Sequence, residues 1–357
     1  MSMTRLALVD GPHLASEYAS GLARLKNATF TAVVAADGDA ATRAAESLNA
    51  SVMASSLDEL LSKHAAAFDA VVLRGSCATR AAQIQQIAKA GKHVLAKGPL
   101  GLTVSEVDAV TQASQATNVC LMVSHSLRFV PAHQVVKQRI QVGKLGDPGL
   151  LRVHRWNPAK SANSKAGGNG ATACLASDSK CNSSLGNLFA ARFVAEIDLA
   201  LWLFDGPPTS IYATGRQPVN QGTSQSAGQP NVDYVQLHLG FDKGGMAMID
   251  WADTLPASSD PYFSMSLIGS KGAGYADDHH NMHLLYGGAE PKALLNSQGL
   301  GHLIAELQNF VDAVREKRDP AVTPTDGRWA VQVAQAAAMS LTTGQAVALK
   351  GGHYECI

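Results

Sequence analysis

The residues Asp277-Asp278-His279-His280-Asn281-Met282-His283 put two carboxylates and three imidazoles into one short stretch, a density that invites a divalent metal. The preceding GSKGAGYAD reads as strand and turn, so alternation along extended chain favours a polar sheet edge or subunit contact, and no metal site is expected there. Arg192 and Glu196 stand four apart in a helical segment, either as an ordinary ion pair or as two polar groups lining a ligand cleft. His125 and Arg128 directly follow a predicted strand end, where α/β sheets bind their ligands, which makes them candidates for ligand contact. The loop Asp10-Gly11-Pro12-His13 follows the first strand, where a nucleotide-binding domain would cradle phosphate. Its composition also suits a plain tight turn ahead of a helix.

These side chains need elements to position them. Up to about residue 124, short apolar runs alternate with Ala-rich helical segments. Strands are predicted at Leu6–Val9, Phe30–Ala35, Ser51–Ala54, Ala70–Leu73, His93–Ala96 and Val119–Val123, with a helix at Ala78–Ala90 that stops at Gly91. That pattern predicts a doubly wound parallel sheet of nucleotide-binding type over residues 1–124. After a linking helix at Pro131–Gln141 come longer strands, at Gly149–Trp156, Thr209–Gly215, Val232–Phe241, Gly244–Trp251 and Tyr262–Ile268. Asp242-Lys243-Gly244-Gly245 supplies a hairpin turn among them. Residues 125–357 are therefore expected to form an α+β domain with an open, mainly antiparallel sheet, a helix at Leu188–Phe204 packed on it, and closing helices within 302–343 that brace both domains. The Ser/Ala/Gly/Asn-rich segment 157–186 lacks apolar periodicity and is expected to be a mobile surface loop, with a Cys174–Cys181 disulfide as the alternative.

Composition bounds the rest. With 357 residues, at a prior of roughly 100–200 per domain, two domains are expected. The 29 basic and 29 acidic side chains balance, and no Lys/Arg-rich run appears, so a nucleic-acid partner is not expected. No apolar run approaches the ~18 residues of a membrane span, and the N-terminal stretch lacks a signal-peptide core. Five scattered cysteines suit a reducing compartment, so the chain is expected to be cytoplasmic.

Five blocks carry a family resemblance: AGKHVLAKGPLGLTVSE (90–106), SHSLRFVPAHQVVKQRIQVGKLGDP (124–148), EIDLALWLFDG (196–206), GSKGAGYAD (269–277) and ELQNFVDAVREKRDPAVTPTDG (306–327). In this order along the chain they resemble the glucose–fructose oxidoreductase, inositol dehydrogenase and rhizopine catabolism (Gfo/Idh/MocA) family. The resemblance implies an N-terminal Rossmann domain, a C-terminal sheet domain, NAD or NADP as cofactor, and sugars, inositols or related polyols as substrates. It also implies a homo-oligomer assembled through the open face of the C-terminal sheet.

Matched position by position, the family's functional residues are missing. The Lys of its Glu-Lys-Pro motif falls on Gly98, with Lys97 one place earlier, and its Asp-x-x-x-His pair falls on Ala191 and Ala195. Lys97 and His125 are left as weak catalytic candidates. The glycine fingerprint falls on Asp10, Pro12 and Ala15, of which only Ala15 suits its role; Gly11, Ala15 and Asp37 are the cofactor-binding candidates. A carboxylate ~5 Å from a phosphate charge costs roughly 3 kcal/mol at an effective dielectric near 20, about a hundredfold in affinity. Pro12 removes a backbone donor from the cradle. The expectation is a pseudoenzyme kept for ligand binding or assembly, with Arg128, Arg192 and Glu196 as ligand-cleft candidates. The alternatives are an NAD(P)-dependent oxidoreductase acting on a sugar, inositol or related polyol, and a dinucleotide-sensing regulator.

Overall fold

The computed structural model describes residues 3–158, 180–181, 183–216, 232–256, 258–278, 282–286, 292–295 and 301–357. The first part alternates strand and helix: β1 (Thr4–Val9), α1 (Ala15–Gly21), β2 (Ala28–Val34), α2 (Gly38–Leu48), β3 (Val52–Ala54), α3 (Leu57–Lys63), β4 (Ala70–Leu73), α4 (Cys77–Lys89), β5 (His93–Lys97), α5 (Val104–Ala116) and β6 (Leu121–Ser124). The strands form one parallel sheet in the order β3-β2-β1-β4-β5-β6. Central strands covered on both faces must be apolar throughout, and Leu6, Ala7, Leu8, Val9 and all of Ala70–Leu73 are fully buried. Chain order reverses between β1 and β4, so the crevice at their carboxyl ends is the switch point at which such sheets take ligands.

The second part comprises α6 (Pro131–Gln141), β7 (Pro148–Pro158), α7 (Leu185–Phe204), β8 (Ser210–Arg216), β9 (Tyr234–Gly240), β10 (Met246–Leu255), β11 (Tyr262–Gly269), β12 (Gly272–Asp277), β13 (Met282–Tyr286) and β14 (Lys292–Leu295). It is followed by α8 (Gly301–Glu316), α9 (Pro324–Thr343), β15 (Val347–Lys350) and β16 (His353–Cys356). Ten strands among the described residues run in the order β14-β13-β12-β11-β7-β10-β9-β8-β15-β16. All neighbours are antiparallel except β7 and β10. Gly244, at φ 88°, makes the expected tight turn between β9 and β10. One sheet face packs Leu151, Val153, Leu237, Ile249 and Met265 into the core with Phe189 and Phe193 of α7.

The chain divides into Met1–Phe129 with Gly299–Arg328, and Val130–Gln298 with Trp329–Ile357. The boundary thus follows Phe129 rather than residue 124, and α8, expected with the second domain, belongs to the first. Ile304 of α8 lies so close to Gly21 of α1 that a Cβ there would stand 2.2 Å from it. Glycine at position 21 is what lets the two helices meet.

Among the described residues, Cys77 and Cys181 are disulfide-bonded, while Cys120 and Cys356 are free thiols. Cys174 and most of segment 157–186 lie outside the described residues. No helix among the described residues is long and apolar enough to cross a membrane.

Candidate functional site

At the switch point, Asp10 ends β1 in the left-handed region, at φ 57°, a conformation that glycine adopts without strain. Its carboxylate turns toward α4, where it accepts a hydrogen bond from Gln83 Nε2 at 3.0 Å and leaves no room for a Cβ on Gly75. Pro12 opens a short 3-10 turn, with the Leu14 amide bonded to the Gly11 carbonyl, so the loop is the tight turn that the sequence allowed. Gly11 carries no Cβ because Arg74 is there: a Cβ would stand 2.9 Å from Arg74 Cβ and Cγ. The aliphatic stem of Arg74, at the end of β4, therefore takes up the close approach that Gly11 offers. Ala15 is buried at the start of α1. Asp37 is the N-cap of α2, accepting from the amides of Asp39 and Ala40, a structural task that explains its place.

From Gly11 the guanidinium of Arg74 reaches Ser124 at the end of β6, with Nη1 to Oγ at 2.9 Å. Ser124 in turn donates to Glu306 Oε2 of α8 at 2.8 Å. Glu306 is fully buried, and burial pushes its carboxyl up to about 7 against the lowering pull of Arg74 and the Ser124 hydroxyl. Tyr18 of α1 is also fully buried, and its phenol is raised by burial. Glu306 Oε1, Tyr18 Oη and Arg74 Nε are buried without a hydrogen-bond partner in the protein. His13 faces the same group from the loop: burial, then Lys97 of β5 and Arg74, hold its imidazole below the ordinary value.

The raised Glu306 has a measurable consequence. Between the unfolded carboxyl value of 4.5 and about 7 the folded state binds the extra proton, so stability falls as pH rises through that window. Glu306→Gln is expected to remove this slope, with thermal melts of the two proteins converging at pH 5 and the variant melting higher at pH 8.

Gly98, on the position of the family's lysine, joins Pro99 by a cis peptide bond, and a Cβ on Gly98 would lie 2.5 Å from His125 Cε1. The buried imidazole of His125 therefore stands where a side chain at 98 would begin. Lys97 pairs with Ser124 across the strands, half-buried, on the neighbouring register position. Arg80 of α4 steadies this corner by donating to the carbonyls of Pro99 and Gly75, at 2.8 and 2.5 Å. Arg128 is not the open ligand contact that was expected. It is buried against Asp326 at 3.0 Å and donates to the Ala321 carbonyl, holding the start of α9.

In the second unit, Arg192 and Glu196 do not pair with each other. Glu196 is buried against Arg155 of β7 at 2.9 Å, and the Arg155 guanidinium covers Phe263. Arg192 stands 3.8 Å from Asp253, over the Trp251 ring, and donates to the Val232 carbonyl. The i,i+4 pairing loses because the sheet beneath α7 offers each side chain an opposite charge or acceptor at closer quarters. Ala191 and Ala195 lie on this helix, half-buried, with no group able to move a proton. Of the Asp/His stretch, Asp277 accepts from the Tyr275 hydroxyl and Asp278 from the Phe263 amide, while residues 279–281 lie outside the described residues.

Sequence reasoning missed Arg74, Ser124, Tyr18, Glu306 and Arg155. A signal existed for two of them. Arg74 abruptly ends the apolar run Ala70–Leu73 at the switch point, and Glu306 interrupts the apolar stripe Leu303, Leu307, Phe310 of α8.

A two-unit fold of this kind, with a parallel nucleotide-binding sheet and a mixed sheet, defines a class of dehydrogenase-like proteins, and profile matches fix it. The oxidoreductase family with an NAD-binding Rossmann fold (GFO_IDH_MocA) matches residues 9–125, and the GFO/IDH/MocA C-terminal domain matches residues 133–274. The chain belongs to the Gfo/Idh/MocA family. Among curated relatives, it is 25% identical to scyllo-inositol 2-dehydrogenase (NAD(+)) of Bacillus subtilis over 79% of this chain and 78% of that one. It is 23% identical to myo-inositol 2-dehydrogenase of Thermotoga maritima, over 79% and 80%. Among solved structures, levoglucosan dehydrogenase in complex with NADH and levoglucosan superposes with a TM-score of 0.80 and 16% identity, covering 97% of this chain and 99% of that one. These structural likenesses establish the fold.

Proposed function

We propose that this chain keeps the family scaffold to bind a small polar ligand and does not carry out dinucleotide-dependent oxidation or reduction. One observation carries the reading: Pro12, at the fingerprint position where a backbone amide would meet a cofactor diphosphate, has no amide hydrogen to give, and the stem of Arg74 packs on the Cβ side of the neighbouring Gly11. Asp10 and Pro12 add a carboxylate and remove a donor in the same loop, and Gly98, Ala191 and Ala195 leave the family's proton-handling positions empty of titratable groups. In this reading the β1–α1 loop does not accommodate a dinucleotide diphosphate.

A second reading is favoured by the nearness of His125 to Gly98. An imidazole there could serve as proton donor or acceptor in an NAD(P)-dependent oxidoreductase acting on a sugar or inositol, the reactions that its curated relatives are named for. Assays of the purified chain with NAD(+) and NADP(+) against a panel of inositols and aldoses separate the two. No turnover above buffer is expected, whereas turnover abolished by His125→Ala would establish the second reading. Assembly through the second unit's sheet is part of the proposal. Trp156, Tyr212, Tyr234, Met246 and Ile268 are exposed together on one face of it, the kind of apolar grouping that a second copy would cover.

A further inference from the structure

The first unit holds a charged group that no family role explains. Among the described residues, the Arg74 guanidinium donates from Nη1 to Ser124, while its Nε is buried without a hydrogen-bond partner. Beside it, Glu306 Oε1 and Tyr18 Oη are also buried without a protein partner. Such atoms are rare, since each costs the lost solvation of a polar group, and several around one serine mark a place built for polar company. His13, in the β1–α1 loop, is lowered by both Arg74 and Lys97, and Lys97 of β5 is the cross-strand partner of Ser124, to which Arg74 donates.

We propose that Arg74, flanked by Lys97 and His13, binds a single oxyanion group, phosphate or carboxylate, of a small ligand, with Glu306 as the internal competitor for the guanidinium. The proposal rests on the reading above, in which the loop takes something smaller than a dinucleotide. The chemistry follows from the partners: a planar fork suits two oxygens of one anion, and Ser124 already passes a hydrogen bond from Arg74 to the Glu306 carboxylate. When Glu306 is protonated the only nearby anion that Ser124 could link to Arg74 is lost, and an external one is favoured in its place. When Glu306 ionises, it restores that charge from within.

The other groups facing Arg74 or Glu306 do not reverse this sign. Glu17 of α1 is raised by burial, though Arg74 opposes the rise, and Tyr18 is raised as well. Asp10 is bonded to Gln83, and Arg128, on the turn packed against α8, is paired with Asp326. Burial, then Lys97 and Arg74, lower the His13 imidazole from its ordinary value, so its titration adds no attraction for an anion as pH rises, and Arg74 is the charge to which the anion is assigned.

Titration calorimetry of the full chain with sodium sulfate and, separately, sodium acetate tests this. Both probes keep a fixed charge between pH 6 and pH 8, and the two arms distinguish a phosphate-like from a carboxylate-like preference. Binding at pH 6 is expected to weaken by up to about tenfold at pH 8, the limit that one ionising group with a midpoint near 7 sets. In Glu306→Gln the affinity is expected to be the same at both pH values. Arg74→Met is expected to abolish binding, and Arg74→Lys to retain it weakly, with circular dichroism melts confirming that each variant folds. Binding unchanged in Arg74→Met, binding of neither anion at pH 6, or an unaltered pH profile in Glu306→Gln would each overturn the proposal. The same cell titrated with NADH keeps the two levels apart. Tight NADH binding refutes the reading of the loop, whereas absence of both NADH and anion binding leaves that reading standing and removes only the anion site.

Discussion

The triple variant Asp10→Gly/Pro12→Gly/Arg74→Ala is expected to bind NADH at least roughly a hundredfold more tightly than the parent chain, by calorimetry or nicotinamide fluorescence. The size follows from the ~3 kcal/mol that a carboxylate near a diphosphate costs, together with the recovery of a backbone donor. The geometry adjusts how that gain divides. Asp10 is turned onto Gln83 and Gly75, so its charge is partly compensated, whereas the Arg74 stem still packs on the Cβ side of Gly11. The double variant that leaves Arg74 in place is therefore expected to recover less than about a tenth of the triple variant's gain in affinity. Equal affinities of double and triple variants would show that Arg74 does not block the loop.

Gly98→Lys carries the second large effect. Restoring the family's lysine places a Cβ 2.5 Å from the buried His125 ring, a distance real side chains do not tolerate, so the substitution alone is expected to lose roughly 3 kcal/mol of stability. Adding His125→Ala removes the obstruction, and most of that loss is expected to return in urea unfolding, an interaction term of a size that only residues in contact show. Purely additive losses would mean that glycine at 98 and histidine at 125 are unrelated. The coupling matters for function because it explains why the family lysine cannot be reinstated by a single change.

Where one local rule decided the outcome, the sequence was legible. Alternation and buried apolar runs located β4 at Ala70–Leu73, and proline at the first helical position located α6 at Pro131–Gln141. Gly244 as a hairpin turn followed from its chemistry alone, whereas Asp37, offered as a cofactor contact, caps α2. The departures come from long-range packing. That α8 belongs with the first unit depends on Gly21 meeting Ile304, residues far apart in the chain. Arg192 and Glu196 are four apart and on one helix, yet β7 supplies Arg155 and β10 supplies Asp253, which sequence spacing does not reveal. Likewise the motif put Gly98 where the resemblance expects a lysine, but the imidazole beside it became visible only with β5 and β6 side by side. The site was legible in the sequence mainly as expected departures from that resemblance. What stands there instead, Arg74 linked through Ser124 to Glu306, joins three separate elements and needed the fold.

Titration of the unmodified chain with NADH and NADPH bears most directly on whether this scaffold has left dinucleotide chemistry. Dissociation constants weaker than about 10 μM for both, or no detectable heat, are expected; binding of either one tighter than about 10 μM would contradict it.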